Sequence, residues 1–229
     1  MNSSKSPTTD FEKQLLAEKR FLLAVDEVGR GAIAGPVAVG VVLIDKQSAN
    51  LDAFPPKVRD SKLLSAKVRS ELIEPLTNWV THQAVGFSSA EEIDTSGIVV
   101  ALARAAGRAI DEILTPELRG AFVADGVTIL LDGSHNWLAE QAAGLPVVVR
   151  TKADRDCASV AAASVFAKVS RDSLMQQLAI DYPEFGLDGH KGYASAAHIE
   201  AIHTHGPSAI HRHTWLTKIL ADNAVIEEG

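Results

Sequence analysis

The chain has 229 residues, 46% of them apolar and 22% charged, enough to fill one sizeable core and outside the range of disordered or fibrous chains. A formal net charge of −7 argues against a protein that coats nucleic acid through a broad basic footprint. It leaves room for clustered carboxylates that hold cations against phosphates. The one cysteine, Cys157, can form neither an internal disulfide nor a cysteine zinc cluster and fits a reducing compartment. The longest uncharged run, Ala32 to Ile44, holds Gly35 and Pro36 and is too short for a bilayer, so a cytoplasmic protein with no membrane association is expected.

Met1 to Thr9 are polar and expected to fray, and Asp10 to Arg20 read as a helical lead-in. FLLAV (Phe21 to Val25) is a buried strand running into a turn at Gly29-Arg30-Gly31, and Val37 to Ile44 should pair back against it. Ser65 N-caps a helix through about Trp79 that Pro75 would bend or split. Val80 to Ser88 is a further strand, and Ser96 to Leu114 a helix with Arg104 and Arg108 opposite its apolar face. VTILLDG and VVVRTKAD then form two β-rich runs, each ending in an aspartate, followed by an alanine-rich helix from about Asp156 to Ile180. Beyond Tyr182 come a glycine-rich loop, a helix from Ser195 to His205 and a last helical stretch around Thr214 to Leu220. A hairpin followed by strand–helix alternation is the order of a mixed α/β sheet. With no repeat and no linker, the chain divides into a polar lead-in (1–20), one domain (21–220) and a short tail (221–229).

Three apolar runs end in carboxylates: Asp26 with Glu27, Asp132, and Asp154. In open α/β sheets ligands collect beyond the carboxyl ends of parallel strands, so these side chains are expected to converge. Converging carboxylates repel one another and call for cations between them, and an all-oxygen ligand set suits Mg²⁺ or Mn²⁺. Successive strand residues point to opposite faces, so Glu27 can join Asp26 only where the strand ends or twists. Two such ions about 4 Å apart serve in-line phosphodiester displacement. Neither a GK[ST] phosphate loop nor a G-x-S-x-G elbow is present. Glycines beside Asp26 let backbone groups approach a sugar closely.

The segments LLAVDEVGRGAIAGPVAVG, RDSKLLS, EEID, LLDG, TKADRDCASVAAASVFAKVSRD and GHKGYASAAH resemble, in the same order, those of the ribonuclease HII family, from about Leu22 to Trp215. The resemblance implies a ribonuclease H-like mixed five-stranded sheet flanked by helices, with a small helical C-terminal extension. It implies that Asp26, Glu27, Asp132 and Asp154 are the catalytic carboxylates and hold two divalent ions, Mn²⁺ or Mg²⁺. Gly29, Arg30 and Gly31 would read a ribose 2′-hydroxyl and Tyr193 would stack on the deoxyribose that follows. The implied activity is cutting of the RNA strand of RNA–DNA hybrids and incision 5′ to ribonucleotides embedded in duplex DNA, leaving 3′-hydroxyl and 5′-phosphate ends. The chain departs from the family pattern at Val28, at Ala153 and at Ala194-Ser195, and Asp156 stands near enough to Asp154 to compete for its assignment.

Lys62, Lys152, Lys168, Arg171 and Lys191 are candidate phosphate contacts, Lys62 and Lys191 foremost. The C-terminal histidines (190, 198, 203, 205, 211, 213) fit no common zinc spacing and read as helix-surface and hydrogen-bonding groups. A monomer is expected, and whether the C-terminus engages a partner such as a sliding clamp stays open. Two rivals share part of this pattern: another two-metal nuclease or resolvase of the same fold, and a non-catalytic module that binds hybrids. Cleavage of all-DNA substrates would favour the first, and binding without metal-dependent turnover the second.

Overall fold

The alternation of strand side chains organises the molecule around a sheet covered on both faces. The computed structural model describes residues 6–224 apart from 48, 59, 60, 62, 63, 139–141 and 143. A lead-in helix, α1 (Asp10–Glu18), precedes the hairpin of β1 (Phe21–Val28) and β2 (Val37–Asp45). Next come α2 (Ala66–Trp79), β3 (His82–Ser88), α3 (Ala90–Ser96), α4 (Ile98–Ile113) and α5 (Pro116–Asp125). The second half runs β4 (Val127–Asp132), β5 (Val147–Arg150), α6 (Ala153–Asp156), α7 (Ala158–Asp181), α8 (Leu187–His190), α9 (Ala196–His205) and α10 (His213–Ala224).

The sheet order is β3-β2-β1-β4-β5. β2 is antiparallel to β1 and β3, while β1, β4 and β5 run parallel. Phe21, Leu23 and Val25 face one core with Ala101, Ala105 and Ala109 of α4, and Leu22 and Ala24 face the other with Ala158, Ala161 and Ala162 of α7. Because both faces are covered, β1 and β2 read as unbroken apolar runs. Alanine lets the helices approach closely: a Cβ on Gly40 of β2 would lie 2.2 Å from the Ala163 carbonyl oxygen. A third apolar cluster, with Ile33, Ala34, Met175, Phe185 and Leu216, seats the C-terminal helices on the far end of α7. Among the described residues no helix is long and apolar enough to cross a membrane.

Three expectations need correction. Residues 6–9 are pinned rather than frayed: the Thr8 N–H donates to the Asp156 carbonyl and the Thr8 carbonyl accepts from Ala158 N–H, both at 3.0 Å. The Glu12 carboxylate, fully buried, accepts from the N–H (2.7 Å) and hydroxyl (2.8 Å) of Ser159. The first turn of α7 has no side-chain N-cap of its own, so the lead-in satisfies donors that a helix start otherwise leaves unpaired. Second, of the bend or split expected at Pro75, the split does not occur: α2 runs through it, with Leu72, Leu76 and Trp79 buried. The helix expected from Ser96 to Leu114 is α4, which starts at Ile98, just after Gly97 (φ +81°) closes α3. Third, Asp154 does not end a strand. β5 stops at Arg150, Lys152 turns through the left-handed region (φ +61°), and Asp154 lies in the short α6.

Candidate active site

Strand pairing places two of the carboxylates side by side. β1 and β4 are in register up to Val25 opposite Leu131, so Asp26 and Asp132 are the next residues on neighbouring parallel strands. By parity both follow the α7 face, where Leu22, Ala24 and Leu130 lie. Asp132 then fixes the third: its Oδ1 accepts from Ala153 N–H at 2.6 Å and from Asp154 N–H at 3.4 Å, tying the start of α6 to the end of β4. Glu27 is on the opposite side of the pleat, since β1 continues to Val28, paired with Ala38. Its carboxylate meets Arg30 Nη1 at 3.3 Å.

Electrostatics record the convergence. Burial pushes the Asp26 carboxyl well above the ordinary range, and the charges of Glu27, Asp132 and Asp154 push it further, while a hydrogen bond from Ser164 opposes them. Burial likewise raises Glu27, with Arg30 pulling it down and Asp132 pushing it up. Ser164 sits in α7 and shares a buried 2.8 Å hydrogen bond with Ser61. Arg69 holds the carbonyls of Ser61 and Leu64 (2.9 and 2.5 Å) and reaches Asp172 at 3.2 Å. A continuous path of hydrogen bonds thus runs from Asp26 through Ser164 to Ser61.

The glycine-arginine-glycine turn follows β1 directly. Gly29 has φ +79°, and a Cβ there would stand 2.0 Å from Arg171 Nε, so both backbone conformation and space require glycine. Arg171 and Arg212, both fully buried, clamp this turn to the C-terminal helices. Arg171 donates to the carbonyls of Pro36 (2.8 Å), Lys191 (2.9 Å) and Ala34 (3.3 Å). Arg212 donates to those of Gly29 (2.7 Å), Arg30 (2.9 Å) and Gly35 (3.2 and 3.3 Å). The ring of Tyr193, 39% exposed, lies 5.7 Å from the Arg171 guanidinium carbon, which makes Arg171 the spacer between the turn and the tyrosine.

This arrangement has known counterparts. The family model for ribonuclease HII matches residues 23–218. The chain belongs to the ribonuclease HII family. The ribonuclease HII of Streptomyces avermitilis is 41% identical over 214 residues, covering 91% of this chain and 83% of the relative. The crystal structure of ribonuclease H2 from Pyrococcus horikoshii superposes with a TM-score of 0.66 at 28% identity, covering 87% of this chain and 96% of that one. A second, the ribonuclease HII of Archaeoglobus fulgidus solved in complex with PCNA, gives 0.62 at 28% identity over 86% and 94%. As a family member the chain is a metal-dependent ribonuclease H, an endonuclease on the RNA of RNA–DNA hybrids.

The donors present fit the divalent ion that the family implies. They are oxygen atoms alone, Glu27 Oε2 is buried without a hydrogen-bond partner, and the charges on Glu27, Asp132 and Asp154 disfavour ionised Asp26 until a cation offsets them. Among the described residues no three His, Cys, Asp or Glu side chains form a group closed enough to hold a metal ion.

The remaining candidates divide. Lys62 lies outside the described residues. Lys191, in the left-handed region (φ +53°), points its Nζ to the Asp188 carbonyl and lines a polar groove of about 570 Å³ with Arg69 and Lys168. Lys168 is paired with Asp172 at 2.6 Å, and Lys152 is exposed. Arg171 is no phosphate contact, because its guanidinium is buried and spends its donors on backbone carbonyls. His198 and His211 are not surface groups but fully buried. Sequence reasoning missed Ser164, whose one signal was a hydroxyl inside an alanine-rich helix. It also missed Arg212, for which no local pattern exists.

Proposed function

We infer that the chain incises duplex DNA 5′ to embedded ribonucleotides as well as cutting longer hybrids, leaving 3′-hydroxyl and 5′-phosphate ends. The observation that supports this reading is the juxtaposition, at the end of β1, of a carboxylate cluster with a turn whose backbone is open to a sugar. Asp26, Glu27, Asp132 and Asp154 would hold two divalent cations, Mg²⁺ or Mn²⁺. When bound, such ions supply charge neutralisation at the phosphate and a water made nucleophilic at neutral pH. The chain's own residues do the rest. Asp132, fixed by the α6 N–H groups, and Asp26, fixed by Ser164, keep their oxygens aimed at the scissile phosphate. The Gly29-Arg30-Gly31 backbone meets the 2′-hydroxyl, the group that separates RNA from DNA at one position. Tyr193 offers its exposed ring to the following deoxyribose. Lys191, with Lys62, contacts the phosphate backbone, which positions the duplex without reading sequence. We take 21–220 as one catalytic unit, acting as a cytoplasmic monomer. The PCNA complex of the Archaeoglobus fulgidus relative supports a clamp partner here.

The test is a labelled DNA duplex with one ribonucleotide beside an all-DNA control, with Mg²⁺, Mn²⁺ or chelator. Metal-dependent incision 5′ to the ribonucleotide, with the control intact, is expected. Equal cutting of the control would favour a general nuclease, and binding without cutting would favour a non-catalytic hybrid binder.

A further inference from the structure

The polar groups of the turn after β1 are sorted by side. A trans peptide sets its carbonyl and its N–H on opposite sides of the chain, and the described residues contain no cis bond. Arg212 Nη2–H donates to the Gly29 carbonyl and Nη1–H to the Arg30 carbonyl. The Ala32 N–H also donates to Gly29, at 3.2 Å. With these two carbonyls held inward, the N–H groups of Arg30 and Gly31, the other halves of the same two peptides, turn outward. Among the described residues neither N–H has an acceptor. Gly29 is buried while Arg30 and Gly31 are exposed, and the space a Gly31 Cβ would occupy is open.

A guanidinium suits this task because its donors lie in one rigid plane and can fork two successive carbonyls at fixed spacing. The arrangement is costly. The hydrogen bonds of Arg212 all go to backbone carbonyls, its guanidinium carbon lies 4.8 Å over the Trp215 ring, and burial and the neighbouring Arg171 charge both act against its charged form. An apolar side chain in its place would leave these carbonyls without their donor, and it could not fix the orientation of two peptide planes.

We propose that Arg212 is a positioning residue for ribose recognition: by holding the Gly29 and Arg30 carbonyls it aims the Arg30 and Gly31 N–H groups at the 2′-oxygen of the substrate. This rests on the reading of the turn given above.

The experiment compares wild type with Arg212→Lys, whose ammonium cannot fork both carbonyls. Affinities are measured with Ca²⁺ in place of the catalytic ion, for two duplexes that differ only in one 2′-hydroxyl. Wild type is expected to prefer the ribonucleotide duplex. Arg212→Lys is expected to lose about 3- to 10-fold of that preference, the worth of one or two hydrogen bonds, while binding the all-DNA duplex as before. Equal weakening on both duplexes, or an unchanged preference, would make Arg212 merely structural and overturn the proposal. A wild type without any preference would remove the reading beneath it instead. Should Arg212→Lys fail to fold, amide resonances of the wild type carry the test. Those of Arg30 and Gly31 should move with the ribonucleotide duplex and not with its all-DNA counterpart, and equal response to both overturns the proposal.

Discussion

Asp26, proposed as a metal ligand, sits in an environment that disfavours its charge. It is buried, beside other carboxylates, with one hydroxyl in its support. Replacing it by Asn should abolish the ion's contribution, several kcal/mol of transition-state stabilisation and so a rate loss on the order of 1,000-fold or more, with duplex affinity largely kept. The same variant should melt a few degrees higher than wild type in chelator, because the cost of burying this carboxyl among like charges, ionised or protonated, is removed; a lower melting temperature would contradict the electrostatic account. Ser164→Ala tests the support itself. Losing its bonds to Asp26 and Ser61 should cost about 1–3 kcal/mol of stability and slow cleavage about 10-fold, seen in denaturant midpoints and single-turnover rates. Tyr193→Ala should leave the melting temperature near wild type, since the ring is exposed, and erode the preference for an RNA-to-DNA junction. At this scale the sequence was informative where a residue type is unusual in its setting. Carboxylates that close apolar runs stand out, whereas Arg171 looked like any other helix cation because its burial depends on residues far away.

The elements of the hairpin and of α7 were readable because apolar runs and alanine content are local signals. The errors fell where local signals compete. α3, seven residues long, was too short for its periodicity to register, and Asp154 moved from a strand end into α6 because Lys152 adopts the left-handed turn. The lead-in was misjudged for a different reason: its worth is in donors it satisfies on α7, 147 positions away along the chain. Glu12→Ala removes the acceptor for two Ser159 donors inside a buried site. It should lower unfolding free energy by about 2–4 kcal/mol, and Glu12→Gln, which keeps an acceptor oxygen, should recover part of that loss. Urea denaturation decides, and an unchanged midpoint for Glu12→Ala would return residues 6–18 to the status of a loose appendage.

On the scale of the whole molecule, the docking of the C-terminal helices was the least legible feature, because it depends on polar contacts between residues up to 183 positions apart. One such contact is a directed chain of histidines. The Ser208 N–H donates to His211 Nδ1 at 3.0 Å, which leaves neutral His211 to donate from Nε2 to His198 Nε2 at 3.2 Å, and His198 Nδ1–H to donate to the Tyr193 carbonyl at 2.9 Å. This chain needs both rings neutral, since a second proton on His198, at Nε2, would face the His211 N–H, and one on His211, at Nδ1, would face the Ser208 N–H. His190 stacks 4.2 Å from His198, and Glu184 and His213 act on His211 with opposite sign. Burial first, then His198, pushes His211 down to about 4, and burial first lowers His198 as well. In the unfolded chain these rings take up a proton near pH 6.5, while folded His211 does so only near 4. Between those values the unfolded state binds more protons, so stability falls with falling pH, by about 1.4 kcal/mol per unit for each ring that stays neutral. Asp26 and Glu27, raised in the folded state, have the opposite slope, which is why the comparison must be a difference. Urea midpoints of wild type and His211→Asn at pH 7, 6 and 5 should converge as pH falls, the wild type losing its advantage across this window. Parallel lines would mean that the histidines titrate alike in both states and that the chain of donors does not hold the Tyr193 segment in place.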